Sequence, residues 1–174
     1  LRQATHTFNG MLGLHHRDPG TVGAVLVDGR IYAQVIPDGV HLHPAVVRLI
    51  VQAKGLGRTI LITDAIRAAG LADGEYSVAG DTIRVRNGVC RTASGSLAGS
   101  TLTMDVAVHN AMRFAGLSLG EALRMATATP AEAMGWSGSK GVLAPGADAD
   151  LILLDSDLQV HLTMVAGRTV FTRS

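Results

Sequence analysis

Two short apolar runs on either side of an amphipathic stretch set the first pattern of the chain. Ile31-Tyr32-Ala33-Gln34-Val35-Ile36 is rich in β-branched residues and bounded by Gly29 and by Pro37-Asp38-Gly39, which predicts a buried strand. Pro44 then opens a segment, Ala45 to Ala53, with Val46, Leu49, Ile50 and Ala53 at helical spacing, and Gly55 stops it. Proline just inside the start and glycine just past the end predict a helix there. Thr59-Ile60-Leu61-Ile62-Thr63 is a second continuous apolar strand, running into Asp64. Strands apolar on both faces and joined through a helix predict a parallel sheet with helices packed outside it, an α/β fold.

The period then changes. From Tyr76 to Val89 apolar and polar residues alternate around Gly80-Asp81 and Asn87-Gly88, which is hairpin chemistry. An antiparallel β-hairpin excursion over about residues 76–90 therefore interrupts the α/β pattern. Helices are predicted again over Thr103–Ala115, Ser118–Ala126 and Pro130–Met134; Ser118 and Glu121 form a capping box at the second of these. Past Gly141 the pattern returns to strands, Asp150–Leu154, Gln159–Val165 and Arg168–Phe171, with Ala166-Gly167 as the last turn. Three short strands do not bury both of their faces alone, so a partner sheet is expected.

Composition narrows the classes of function. Of the 174 residues 47% are hydrophobic and 17% charged, which excludes intrinsic disorder. A net charge of +1 gives no field for a nucleic-acid partner, and aromatic residues, at 3%, are too few for a base-stacking platform. The single cysteine, Cys90, excludes an intrachain disulfide and a four-cysteine zinc site and fits a reducing cytoplasmic location. No apolar run reaches the roughly 18–20 residues that span a bilayer, so no membrane partner is expected. Leu1-Arg2-Gln3-Ala4 has neither the apolar core of a signal peptide nor an initiating methionine, and the chain is expected to begin inside something longer.

Polar groups at strand ends are where a parallel α/β architecture carries its chemistry. Thr5-His6-Thr7-Phe8-Asn9 offers either a hydrogen-bonded structural histidine or a ligand. In Asp38-Gly39-Val40-His41-Leu42-His43 the two histidines have the spacing of a metal pair on an extended segment, but a polar loop leading into a helix looks the same. Asp64, in Thr63-Asp64-Ala65, reads as a helix cap or as a catalytic or metal-binding carboxylate. His15-His16-Arg17-Asp18-Pro19-Gly20 is either an anion-receiving loop, since guanidinium matches phosphate bidentately, or a solvated turn. Gly95-Ser96-Leu97-Ala98-Gly99-Ser100 is small enough for its backbone to approach a ligand, as are many loops that bind nothing. Cys90, His109 and His161 read as structural.

Taken in order these segments, together with Ala126-Thr127-Ala128-Thr129-Pro130-Ala131 and Gly141 to Asp150, resemble the N-acetylglucosamine-6-phosphate deacetylases of the amidohydrolase superfamily. The resemblance implies the C-terminal part of a metal-dependent TIM-like (β/α)8 barrel over residues 1–139 and strands of a small β-sandwich domain over residues 140–174. It implies removal of the N-acetyl group of N-acetylglucosamine 6-phosphate with a divalent metal, zinc first, with iron, manganese or cobalt as alternatives. By the same resemblance His6 is a metal ligand and Asp64 the catalytic acid and base, while Asn9, Gly10, His41, Leu97, Ala98, Gly99 and Ser100 touch substrate. Arg17 grips the 6-phosphate and, in a homodimer, reaches the neighbouring site; Gly10 stands where the family usually has alanine. The family's remaining metal ligands belong to strands expected before Leu1, so the 174-residue chain alone is expected to be an inactive fragment. The alternatives are an N-acetylgalactosamine-6-phosphate deacetylase, a dihydroorotase-like or N-acyl amino acid hydrolase, and a non-catalytic module; only the phosphate readers give Arg17 a task.

Overall fold

Three parallel strands, β1 (Gln3–Ala4), β2 (Tyr32–Val35) and β3 (Thr59–Leu61), lie side by side in chain order. In this computed structural model, which describes residues 2–78 and 80–173, their register pairs Gln3 with Tyr32, Ala33 with Thr59 and Val35 with Leu61. Leu1, Ala79 of the expected hairpin and Ser174 lie outside the described residues. The ladder is shorter than the apolar runs because Pro37 closes β2, yet the Ile62 amide still donates to the Val35 carbonyl at 2.9 Å.

Two helices join these strands. α2 (Pro44–Lys54) is the predicted one, with His43 at its N-cap accepting from the Ala45 amide at 3.2 Å. α1 (Gly20–Val27) was not expected, because Gly-Thr-Val-Gly-Ala-Val-Leu-Val is poor in helix formers and has no polar face. Packing decides it: Val25 shares a core with Ala33, Val35, Val47, Ile50 and Phe114. The Lys54 ammonium seals the junction, donating to the Val25 carbonyl at 2.8 Å and the Asp28 carbonyl at 2.6 Å at the end of α1.

An antiparallel meander follows, β4 (Gly74–Val78), β5 (Asp81–Arg86) and β6 (Val89–Thr92), so the excursion has three strands and runs slightly past residue 90. Its inner side buries Ile83, Val85 and Cys90 on Ala68. α3 (Met104–Ala115), α4 (Leu119–Ala126) and α5 (Ala128–Ala133) come next, and α4 carries the predicted capping box. Val108, Ala111, Ala122 and Met125 from α3 and α4 pack on Leu61 and Val51. At the opposite end of the sheet Glu132 accepts from the Tyr32 hydroxyl and from Arg58, both at 3.0 Å, while the Arg58 guanidinium lies 4.4 Å over the Tyr32 ring. No helix among the described residues is long and apolar enough to cross a membrane.

The last three strands, β7 (Leu151–Leu154), β8 (Val160–Val165) and β9 (Arg168–Thr172), form a separate antiparallel sheet. Leu153 and Val170 are 54% and 61% exposed, and no partner sheet covers them among the described residues. An apolar groove of about 630 Å³ separates this sheet from α3 and α4, lined by Val108, Leu123, Val142, Leu151, Leu154 and Val160.

The Lys54 clamp gives a direct test. Replacing it in Lys54→Met keeps the apolar stem and strands two carbonyls, so the protein should lose about 1–3 kcal/mol in urea denaturation, with Lys54→Arg losing less. A Lys54→Met midpoint equal to the parent's would remove the clamp from the account of how α1 is held.

Candidate functional site

Because β1, β2 and β3 are parallel, their C-terminal ends share one edge, and strands spaced about 4.8 Å apart put the outer two roughly 10 Å from each other. His6 follows the end of β1 by two residues, Asp38 and His41 follow β2, and Asp64 follows β3. Arg17 stands apart. It lies on the exposed stretch before α1, where it donates to the His16 Nε2 at 2.8 Å and the His15 and His16 rings are 4.3 Å apart. That contact requires a neutral His16 with its proton on Nδ1, and the rest of the guanidinium fork faces solvent.

The turn after β1 is tight. His6 and Phe8 adopt left-handed φ of 30° and 78°, and the Thr7 amide anchors the turn to the Gln34 carbonyl at 2.8 Å. The His6 Nδ1 is 3.0 Å from the Asn9 carbonyl, which only accepts, so Nδ1 carries the proton and Nε2 keeps its lone pair. Asn9 returns the bond through its side-chain amide to the His6 carbonyl at 3.3 Å, and Gly10, at φ 66°, lies beside the His6 ring. Asn9 and Gly10 are therefore gathered around His6.

After β2, Asp38 uses its two oxygens differently. Oδ1 accepts from the Val40 and His41 amides at 2.9 and 2.8 Å, an Asx turn, and Oδ2 meets the His41 Nδ1 at 2.6 Å. The His41 ring is 5% exposed and the Asp38 side chain 12%. Burial alone would raise the Asp38 carboxyl, but the bonds from the ring and the two amides outweigh it and hold the group below the usual carboxylate range. The metal-pair alternative for His41 and His43 fails at His43, whose Nδ1 caps α2 by accepting from the Ala45 amide, which puts its proton on Nε2; His41, with Nδ1 on Asp38, keeps a bare Nε2. Asp38 is the residue missed from sequence, although an aspartate three positions before a histidine across a glycine is the signal of such a turn.

Asp64 is exposed, caps no helix, and sits at a left-handed φ of 51°. Ser100 holds it there. Its amide donates to the Asp64 carbonyl at 2.8 Å, its carbonyl accepts from the Ile66 amide at 2.9 Å, and its hydroxyl bonds to the Thr63 carbonyl. The rest of the loop is stitched to the meander, with Leu97 bridging Arg91 and the Ala98 amide donating to the Cys90 carbonyl at 3.1 Å. Leu97, Ala98 and Gly99 are half-buried beside the Asp64 strand end. Cys90 beneath them is inert, because burial first and the Asp38 charge second push its thiol up.

Among the described residues no group of three or more His, Cys, Asp or Glu could hold a metal ion. Catalytic zinc takes about three protein ligands. The donor set fits one ligand, the bare Nε2 of His6, with the free carboxylate of Asp64 as a second, and does not make a whole site.

A family model described as the Amidohydrolase family matches residues 5–170. A provisionally named N-acetylgalactosamine-6-phosphate deacetylase from Escherichia coli (strain K12) is 46% identical over 163 residues, 94% of this chain and 97% of that one. N-acetylglucosamine-6-phosphate deacetylase of Vibrio furnissii is 43% identical over 95% of this chain and 41% of its own length. Among solved structures, a mutant of the Mycobacterium smegmatis N-acetyl-D-glucosamine-6-phosphate deacetylase in complex with N-acetyl-D-glucosamine-6-phosphate superposes with a TM-score of 0.92. It is 42% identical, over 98% of this chain and 45% of that one. Apart from the Escherichia coli K12 chain, this chain spans 41–43% of the length of such curated relatives.

The Gly99 approach is open to test. A Cβ there would lie 2.6 Å from the Ile66 Cγ2 and 2.8 Å from the Asp64 carbonyl oxygen, at a φ of 65°. Gly99→Ala should lose about 2 kcal/mol or more and release the Ser100 amide to hydrogen exchange, whereas Gly95→Ala, with open space around it, should lose only about 1–2. Unchanged protection of Ser100 in Gly99→Ala would show that the loop does not fix Asp64.

Proposed function

This chain belongs to the amidohydrolase family, and from that premise we propose that it supplies the C-terminal part of a metal-dependent deacetylase acting on N-acetylglucosamine 6-phosphate and releasing acetate and glucosamine 6-phosphate. The observation that carries this reading is one sheet edge holding His6, His41 and Asp64 after three successive parallel strands, in a chain 36–46% identical to amino-sugar-phosphate deacetylases. β1, β2 and β3 are then strands of a (β/α)8 barrel, in residues 1–139, and residues 140–174 contribute to a small β-sandwich. The uncovered apolar face of the last sheet supports that division. The galacto epimer is the second reading, favoured by the 46% identity to the Escherichia coli chain.

His6 is the metal ligand assigned to this chain, the Asp64 carboxylate being kept for the proton, and further ligands would come from polypeptide outside these residues. A divalent ion, zinc first, would lower the pKa of water to roughly 7 and polarise the acetyl carbonyl. Asp64 takes the proton of the attacking water and returns it to the leaving amine nitrogen, general base and then general acid. The Asp64 carboxylate is free for this, having no hydrogen-bond partner among the described residues. Asn9, Gly10, His41 and the Leu97 to Ser100 loop line the sugar. Arg17, exposed and aimed outward, grips the 6-phosphate in the neighbouring subunit of a homodimer and holds the acetamido group in register through remote binding energy.

Deacetylation assays on the intact protein with both epimers test the assignment, and the better substrate by kcat/KM names the epimer. Asp64→Asn should lower kcat by roughly 10²–10⁴-fold with metal content close to normal, because an amide shuttles no proton. Activity within a few-fold of the parent would end the acid–base role. Arg17→Ala should raise KM for the 6-phosphorylated sugar, a loss of about 2–5 kcal/mol in binding. Equal losses on phosphorylated and unphosphorylated sugars would show that Arg17 does not read the phosphate.

A further inference from the structure

We propose that Asp38 is a positioning residue for His41: it fixes the ring with its proton on Nδ1, so that Nε2 accepts a hydrogen bond from a hydroxyl of the sugar substrate. The proposal rests on the reading above in which His41 touches substrate.

Three observations lead to it. The Asp38 Oδ2 and the His41 Nδ1 are 2.6 Å apart between two side chains that are both nearly buried. A carboxylate only accepts, so in the neutral ring the proton stays on Nδ1 and the lone pair on Nε2. The His41 Nε2 makes no hydrogen bond among the described residues, and no fully buried side-chain nitrogen or oxygen among them lacks a partner. Nε2 therefore still reaches open space. A bare imidazole nitrogen there takes a donor and repels carbonyl and phosphate oxygens, which leaves the sugar's hydroxyls and its acetamido N–H, and the latter belongs to the scissile amide assigned to Asp64.

A purely structural role for Asp38 would need only Oδ1, which caps the Val40 and His41 amides and shapes the approach to α2. The two oxygens thus do separable work, and one substitution separates them. In Asp38→Asn the remaining oxygen keeps the amide caps, while the new NH₂ faces Nδ1 and donates to it. The ring must then carry its proton on Nε2, which turns an acceptor into a donor. Backbone and charge elsewhere at the strand end are untouched.

Ring nitrogen shifts of His41 in the ¹⁵N-labelled intact protein, followed with rising pH to the plateau at which they no longer change, read the tautomer of the neutral ring directly. The expected result is the Nδ1–H form in the parent and the Nε2–H form in Asp38→Asn, with the Val40 and His41 amide resonances in place. Catalytic efficiency, kcat/KM, on the amino-sugar phosphate should fall roughly 10- to 100-fold, as when a polar contact is left mismatched. His41→Ala should absorb that loss, so that adding Asp38→Asn to it changes nothing further. An Nε2–H tautomer in the parent overturns the proposal, and this measurement needs no variant that must fold. A tautomer switch with kcat/KM unchanged also overturns it, because Nε2 then does not meet substrate. Absence of deacetylase activity in the parent sinks the assigned function instead, and the ring shifts still decide the positioning.

Discussion

The backbone angle of Asp64 at the shared strand-end edge depends on one contact, the close passage of Gly99-Ser100 beside it. A non-glycine residue in the left-handed region costs on the order of 1–3 kcal/mol and persists only where its surroundings over-determine it. Asp64 is such a residue, and the two amide–carbonyl bonds with Ser100 and the hydroxyl on Thr63 are what over-determine it. Because the same loop is tied to β6 through Cys90 and Leu97, the meander is the brace that keeps Asp64 at its angle rather than an ornament on the sheet. His6 repeats the device on a smaller scale, with a left-handed backbone locked by Asn9 and by the Thr7 amide.

The two histidines at this edge are built alike. Each spends Nδ1 on an oxygen that only accepts, a main-chain carbonyl for His6 and a carboxylate for His41, and each leaves Nε2 free. The difference lies in the second partner's charge. A neutral carbonyl orients the His6 ring, whereas Asp38 sets a carboxylate against the ring it holds. One edge thus carries two imidazoles of matched tautomer alongside a carboxylate with no partner among the described residues.

Much of this was legible in the sequence, for identifiable reasons. β2, β3 and α2 were marked by proline and glycine at their limits, and α4 by its Ser118–Glu121 box, all local signals that the structure keeps. α1 was not legible, because a run of valines and glycines carries no helical stripe and only its burial against Val35 and Ile50 makes it helical. The histidines could be found as strand-end residues, but their orientation could not, since it is set by Asn9 and Asp38 through bonds that spacing alone does not imply. His43 shows the converse: a spacing that suggests metal is used for a helix cap.

The chain's lone thiol lies under the very loop that braces Asp64. Cys90 is 1% exposed, its carbonyl takes the Ala98 amide, and its side chain is sealed by Ile83 and Val85. A thiol so enclosed reacts with an alkylating reagent only during excursions in which the cover lifts, so its labelling rate measures the free energy of that opening. The molecule therefore carries a built-in gauge, at natural sequence, of how often the support beneath Asp64 comes undone.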